Sequence, residues 1–229
     1  MAHAAELVGA RDALDGFAPT GRLADLHRRF PGLRLPRTRR VFEALVPTIL
    51  GQLVSGMEAQ RSYVDLVRRW GEAAPGPKSG PCLVAPPTPA ALARLPYYAL
   101  HEVGVEKKRA DTLLRVARRA SRMEEAADMA PAAARARLEA VVGVGPWTSG
   151  VVALRALGDA DAVPIGDYNL PSTVVFAFTG RPRGTDAEML ALLAPFAPHR
   201  GRVLCLLAAA GIGAPRFGAR RALRRIARM

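Results

Sequence analysis

The chain has 229 residues, half of them apolar, with 33 Lys and Arg against 20 Asp and Glu for a net charge of +13. That suits one globular unit with a real core, excludes wholesale disorder, and points to a polyanionic partner, because each phosphate contacted releases condensed counterions. No apolar run approaches the roughly 20 residues of a membrane span, and Met1-Ala2-His3-Ala4-Ala5-Glu6 is no signal peptide, so a cytoplasmic protein without a membrane partner is expected.

Apolar spacing of period 3.6 dominates and no alternating strand is found, which predicts an all-α protein of many short helices. Helices are expected over 3–14 and 20–30. A basic connector, Arg34-Leu35-Pro36-Arg37-Thr38-Arg39-Arg40, leads to a longer apolar helix over 40–54. The next, 57–71, puts Tyr63, Leu66, Val67 and Trp70 on one face. Residues 73–87, rich in proline and glycine, read as a loop, and Thr88-Pro89 then caps a short helix. A helix over 106–122 turns Leu113, Leu114, Val116, Ala117 and Ala120 inward and its arginines outward. Helices 131–142 and 147–157 flank a glycine turn, and another begins near Asp167 and carries Val174, Val175, Phe176 and Phe178. Thr185 with Glu188 forms a capping box for helix 185–195, and helices 201–210 and 217–228 follow. The last carries Arg216, Arg220, Arg221, Arg224, Arg225 and Arg228, a solvated basic face and a candidate for phosphate contact.

The glycine turn lies in Leu138-Glu139-Ala140-Val141-Val142-Gly143-Val144-Gly145-Pro146-Trp147-Thr148. Gly143 and Gly145 permit positive φ and let a phosphate approach the backbone without a Cβ in the way. Pro146 suits the first turn of the second helix, whose free N–H groups attract an anion, and Thr148 adds a hydroxyl. The turn carbonyls of Glu139, Val141 and Val144 are candidate ligands for a monovalent cation bridging to phosphate. The plain alternative is an αα-corner with glycine caps. The apolar run before the turn, the proline after it and the basic charge favour a hairpin that holds a DNA backbone.

Residues 138–157 followed by Val163-Pro164-Ile165-Gly166-Asp167-Tyr168 resemble the helix-hairpin-helix DNA glycosylase superfamily, and within it the bacterial 3-methyladenine DNA glycosylase II branch. Phe42-Glu43-Ala44-Leu45-Val46-Pro47-Thr48-Ile49-Leu50-Gly51-Gln52-Leu53-Val54-Ser55 and Gly104-Val105-Glu106-Lys107-Lys108-Arg109-Ala110 carry the same resemblance, which runs from about residue 24 to 211. It implies two helical lobes flanking a cleft: one of about 40–160 containing the hairpin at 138–155, the other of about 1–39 plus 161–229. It also implies a catalytic role for Asp167, a wedge role for Leu53 with Gln52 beside it, base-pocket positions for Trp147 and Tyr168, and phosphate contacts from Gly143, Gly145 and Thr148. The departures are informative. The glycosylase/lyase branch has its lysine nucleophile where this chain has Trp147, so no lyase activity is expected. Cys82 and Cys205 alone cannot hold that branch's four-cysteine iron–sulfur cluster, so no cofactor is expected beyond the possible cation. The β-rich N-terminal domain of the 3-methyladenine branch is expected to be absent, since residues 1–23 leave no room for it.

Cleaving an N-glycosidic bond makes an oxocarbenium-like sugar, which an ionised carboxylate stabilises while directing the attacking water. A helix N-terminus keeps Asp167 ionised, and the same position makes it an ordinary N-cap. Asp159 and Asp161, in the preceding loop, read as solvated. The target nucleotide must be flipped out, at a cost of a few kcal/mol that an apolar wedge offsets. The plain reading of Leu53 is a core leucine of the 40–54 helix, and that of Trp147 is core packing; the functional reading of Trp147 is a π-face that attracts a cationic, alkylated base. Such a base is already a good leaving group, which fits the lack of a histidine near the motifs: His3, His27, His101 and His199 lie elsewhere. Tyr97 and Tyr98 read as packing residues. The expectation is a monomeric, monofunctional DNA N-glycosylase that excises damaged, alkylated purines from double-stranded DNA in base excision repair. The alternatives are a glycosylase for hypoxanthine, uracil or a mispaired pyrimidine, or a non-catalytic DNA-binding protein of the same fold.

Overall fold

The computed structural model describes residues 3–76 and 83–215. The expected helix 217–228 with its arginines, and also Lys78 and Cys82, lie outside them.

The helices are α1 (Ala4–Leu7), α2 (Gly21–Arg29), α3 (Val41–Leu50), α4 (Gly56–Trp70), α5 (Pro89–Ala93), α6 (Tyr97–His101), α7 (Lys107–Arg118), α8 (Ala120–Glu124), α9 (Pro131–Glu139), α10 (Pro146–Val152), α11 (Leu170–Thr179), α12 (Asp186–Leu193) and α13 (Arg200–Ala209). The all-α expectation holds, with a correction: the stretch read as loop 73–87 contributes to a two-residue antiparallel ribbon, β1 (Glu72–Ala73) with β2 (Val84–Ala85). Ribbons this short leave no alternation to read. Several boundaries also move. The helix expected over 3–14 is a single turn, α1. The one over 106–122 breaks at Arg119 into α7 and α8. The second hairpin helix passes at Ala153 into a π turn reaching Leu157.

Capping explains where several helices start. Ser55 Oγ accepts from Glu58 N while Glu58 accepts from Ser55 N, closing a capping box on α4. Thr185 and Glu188 do the same for α12, and Thr88 Oγ1 accepts from Ala91 N in α5. The start of α3 has no local cap. Glu124 instead accepts from Val41 N and Phe42 N, both at 2.9 Å, so the end of α8 fixes the entry of α3.

The described residues gather into two compact units, one of 3–39 with 149–215, the other of 40–76 with 83–148. Within the second, α3 packs on α4, α7 and α8, and α7 also carries α5 and α6. Leu45, Ile49, Leu50, Leu66, Leu100 and Leu113 are fully buried there. Within the first, Leu23 and Leu26 of α2 join Val174, Met189, Leu193, Val203 and Leu207 in one apolar core. Its N-terminal segment is tied down by a buried ion pair: Arg202 of α13 donates to both oxygens of Asp12, at 2.7 and 2.6 Å, and to the Ala13 carbonyl. His199 Nε2 pairs with the Asp15 carbonyl at 2.8 Å. Among the described residues no single helix is long and apolar enough to cross a membrane.

Desolvation alone would raise the Asp12 pKa; the Arg202 hydrogen bonds, the Leu35 N–H and the guanidinium charge outweigh it and hold it below its ordinary value. A depressed native pKa contributes stability above the unfolded value of about 3.9 and loses it as pH falls through the native value. Urea midpoints should therefore fall below about pH 4, and fall less steeply in Asp12→Asn. Equal acid dependence in the two proteins would contradict this.

Candidate functional site

In the 40–148 unit, α9 ends at Glu139 and the chain turns through Val141 and Gly145 into α10. Val141 N donates to Leu138 O and Val144 N to Val141 O, so the turn is internally bonded. Its two glycines differ. Gly143 has φ +98°, and a Cβ there would lie 2.1 Å from Thr112 Oγ1 on α7. Gly145 is not in the left-handed region, which corrects the expectation of positive φ at both, and a Cβ there would meet nothing within 4 Å. Gly143 is thus required by the fold, and Gly145 leaves the outer face bare. Gly143→Ala should cost about 2–4 kcal/mol by left-handed strain and overpacking, whereas Gly145→Ala should melt like the wild type. Thermal melts of the two variants check this. Of the carbonyls expected to hold a cation, that of Val141 already accepts the Val144 N–H and would offer its second lone pair.

The loop of Leu53, the residue expected to be a wedge, stands beside the hairpin in the same unit. The helix expected to reach residue 54 ends at Leu50, so Leu53 lies in the following loop and is not a core leucine. It has φ +58° and is 90% exposed. A leucine both left-handed and bare to solvent pays twice, in strain and in exposed apolar area. Gln52 faces inward and joins loop to hairpin, its Nε2 donating to Gly143 O and to Thr148 Oγ1, both at 2.9 Å. Thr148 is buried, 1% exposed, and the hydroxyl expected to be free for a phosphate accepts from Gln52. Trp147 is half-buried, its Cη2 edge 3.6 Å from where a Cβ on Gly51 would stand, so the ring lies over the start of the wedge loop.

Arg109, expected to face outward with the other arginines of its helix, is instead buried and anchors this loop. It is 2% exposed, pairs with Glu106, and donates through Nη1 to the Leu50 carbonyl at 2.5 Å. The signal was present: Arg109 sits four residues before Leu113 on the inward stripe of α7, where a charge needs a partner.

In the other unit, Gly150 packs so closely on Pro164 that a Cβ would lie 2.8 Å from the Pro164 Cα, which seats the loop leading to Asp167. Asp167 Oδ1 accepts from Asn169 N at 2.8 Å and Leu170 N at 2.9 Å. These bonds fix the backbone entering α11, which begins at Leu170 with Asn169 at its N-cap, so the expected N-cap position at the head of a helix from 168 is corrected. Gly166, at φ +86°, donates its N–H to Asp186 Oδ2 at 3.2 Å, so the first turn of α12 holds the residue before Asp167. Sequence reading overlooked Asp186, whose only local sign was its place inside a capping box. Tyr168 is 95% exposed rather than walled into a pocket. Asp161, expected to be solvated, takes Arg200 on both oxygens at 2.8 and 2.6 Å, and Asp159 Oδ1 accepts from Asp161 N. Asp161 also accepts the Arg200 N–H at 3.2 Å but is taken up by that residue's guanidinium, whereas Asp167 Oδ1 is held by two backbone amides just ahead of and at the start of α11.

No family profile matches the chain. Among individual proteins it is 34% identical over 152 residues to DNA-3-methyladenine glycosylase 2 of Escherichia coli, covering 65% of this chain and 52% of that protein. It is 32% identical over 141 residues to the probable bifunctional transcriptional activator/DNA repair enzyme AlkA of Mycobacterium tuberculosis, covering 61% of this chain and 28% of that one. The chain therefore spans about half or less of the relatives it matches. Among solved structures it resembles a 3-methyladenine DNA glycosylase from Archaeoglobus fulgidus, with TM-score 0.70, 22% identity, and coverage of 80% of this chain and 62% of that one. It also resembles the Schizosaccharomyces pombe 3-methyladenine DNA glycosylase Mag1 in complex with abasic DNA, with TM-score 0.67, 15% identity, and coverage of 95% and 100%. At these identities the structural matches show the fold alone.

Proposed function

We propose that this chain is a helix-hairpin-helix DNA glycosylase, a monofunctional DNA N-glycosylase that flips out and excises alkylated purines in base excision repair, a reading supported by its likeness to 3-methyladenine DNA glycosylases. The observation that carries the reading is Leu53, a 90% exposed leucine at φ +58° on a loop braced by Gln52 and Arg109. Strain of that kind persists only where the surroundings impose it, and an apolar side chain held out to solvent is what inserting into a base stack requires.

The hairpin backbone at Gly143 and Gly145 holds a phosphate, and the carbonyls of Glu139, Val141 and Val144 are where a monovalent cation would bind and add positive charge toward it. Leu53 occupies the gap left by the extruded nucleotide. The Trp147 π-face favours a cationic base over neutral ones. Asp167, ionised, stabilises the positive charge that develops on the sugar and directs water to C1′. With Trp147 where a lyase has lysine, the product is an abasic site in an unbroken strand. Double-stranded DNA is the partner and the protein works as a monomer.

The test is a panel of duplexes, each with one lesion (3-methyladenine, 7-methylguanine, hypoxanthine, uracil), incubated with protein and then cleaved by alkali. Release from the alkylated purines with strand breaks only after alkali supports the proposal. Release from hypoxanthine or uracil alone would replace the substrate. A break without alkali would overturn the assignment of Trp147, and binding without release from any lesion would leave a DNA-binding protein.

A further inference from the structure

The hairpin is flanked, within its own unit, by a basic hollow to which the reading above gives no task. The last turn of α7 and the residue after it present Arg115, Arg118 and Arg119, which with Ala140 and Val142 line a depression of about 460 Å³. Arg115 donates to the Val142 carbonyl at 3.3 Å, so this arginine is fixed to the hairpin turn itself. Arg118 and Arg119 are exposed. Many arginines of the described residues have a carboxylate at hand, as in Arg69–Glu102, Arg137–Glu125, Arg181–Glu188 and Arg200–Asp161. These three have none among the described residues. The acid nearest along the helix, Asp111, is held by Lys107 at 2.8 Å. Three guanidinium groups left without a counter-charge around one hollow repel one another unless an anion is supplied from outside.

The hollow continues along α7 into a second depression shared by Arg115 and Arg118 and walled by Tyr97. Tyr97 and Tyr98, expected to be packing residues, are 43% and 63% exposed and stacked edge to face. The strip of surface running from the hairpin turn past Arg119 and Arg118 to Tyr97 includes one carboxylate, Asp111, which Lys107 holds at 2.8 Å.

We infer that Arg118 and Arg119, with Arg115 bracing the hairpin, form a second phosphate site that carries the DNA backbone away from the lesion along α7. The occupant is a phosphodiester of the duplex already bound at Gly143 and Gly145, since the strip begins at the hairpin turn. This rests on the proposed function. Guanidinium groups at such a site fix the register of the duplex and read no base. They act equally on damaged and undamaged DNA.

The test is R118Q/R119Q, which spares Arg115 and hence the hairpin. Dissociation constants for an undamaged duplex are measured across a salt series, along with the single-turnover rate of base release at saturating protein. The slope of log affinity against log salt should fall by about 1.8, which is about 0.9 for each of two phosphates. The loss should vanish on duplexes trimmed progressively from one end, once the contacted phosphates are gone. The saturated rate should not change. An unchanged salt slope, with the wild type binding normally, would overturn the inference and leave the glycosylase reading intact. Failure of the wild type to bind duplex DNA would instead remove the reading on which it rests.

Discussion

Asp167→Asn should fold and melt like the wild type, bind lesion-containing duplex with undiminished affinity, and release base about 100- to 1000-fold more slowly. The expectation rests on the two tasks of one side chain. Oδ1 accepts the N–H groups of Asn169 and Leu170, and an asparagine oxygen can take both bonds. The amide keeps the cap and removes the negative charge. Asp167→Ala removes both, so it should lose activity to the same degree and also about 0.5–2 kcal/mol of stability. The pair of variants separates chemistry from structure. Were Asp167→Asn to lose stability while keeping its excision rate, the carboxylate would be a cap and no more.

The second large effect has opposite signs in stability and activity. Leu53→Gly relieves a left-handed strain of about 1–2 kcal/mol, offset by about 0.5–1 kcal/mol of added chain flexibility. It also removes an exposed apolar side chain. The protein should gain about 0.5–1 kcal/mol, read as a rise of roughly 1–4 °C in melting temperature. The same change deletes the wedge, so kcat/KM on a paired lesion should fall about 10- to 100-fold, for a flip that costs a few kcal/mol. A lesion already unpaired, in a bulge or single strand, should lose far less. A variant that is less stable and equally active would show Leu53 to be a folding residue.

Those two residues also mark how far the sequence could be read. Helical period, the capping box at Thr185 and the glycine turn are local, and local rules placed them well. What escaped was decided over long sequence separations. Nothing near Val41 announces that Glu124 will cap it, and nothing near Leu50 announces that Arg109 will take its carbonyl. Thr148 looked like a free hydroxyl because its partner, Gln52, lies 96 residues away. Leu53 read naturally as core, since periodicity alone cannot see that α3 stops three residues earlier. The glycines looked equivalent in sequence; only the approach of Thr112 makes one of them obligatory. Family resemblance assigned the roles of Leu53 and Asp167, but not the neighbours that hold them.

The bond between Asp12 and Arg202 bears on how the protein comes into being. The two residues are 190 positions apart, and ribosomes add about 5–20 residues each second. The segment around Asp12 thus waits roughly 10–40 seconds for the helix that completes its core. The other unit draws its described residues from one continuous stretch and can close while that segment is still waiting. Birth order and folding order are reversed at the N-terminus. Lengthening that wait, by slowing translation through 149–199, should expose 3–39 to proteases during synthesis more than any other part of the chain.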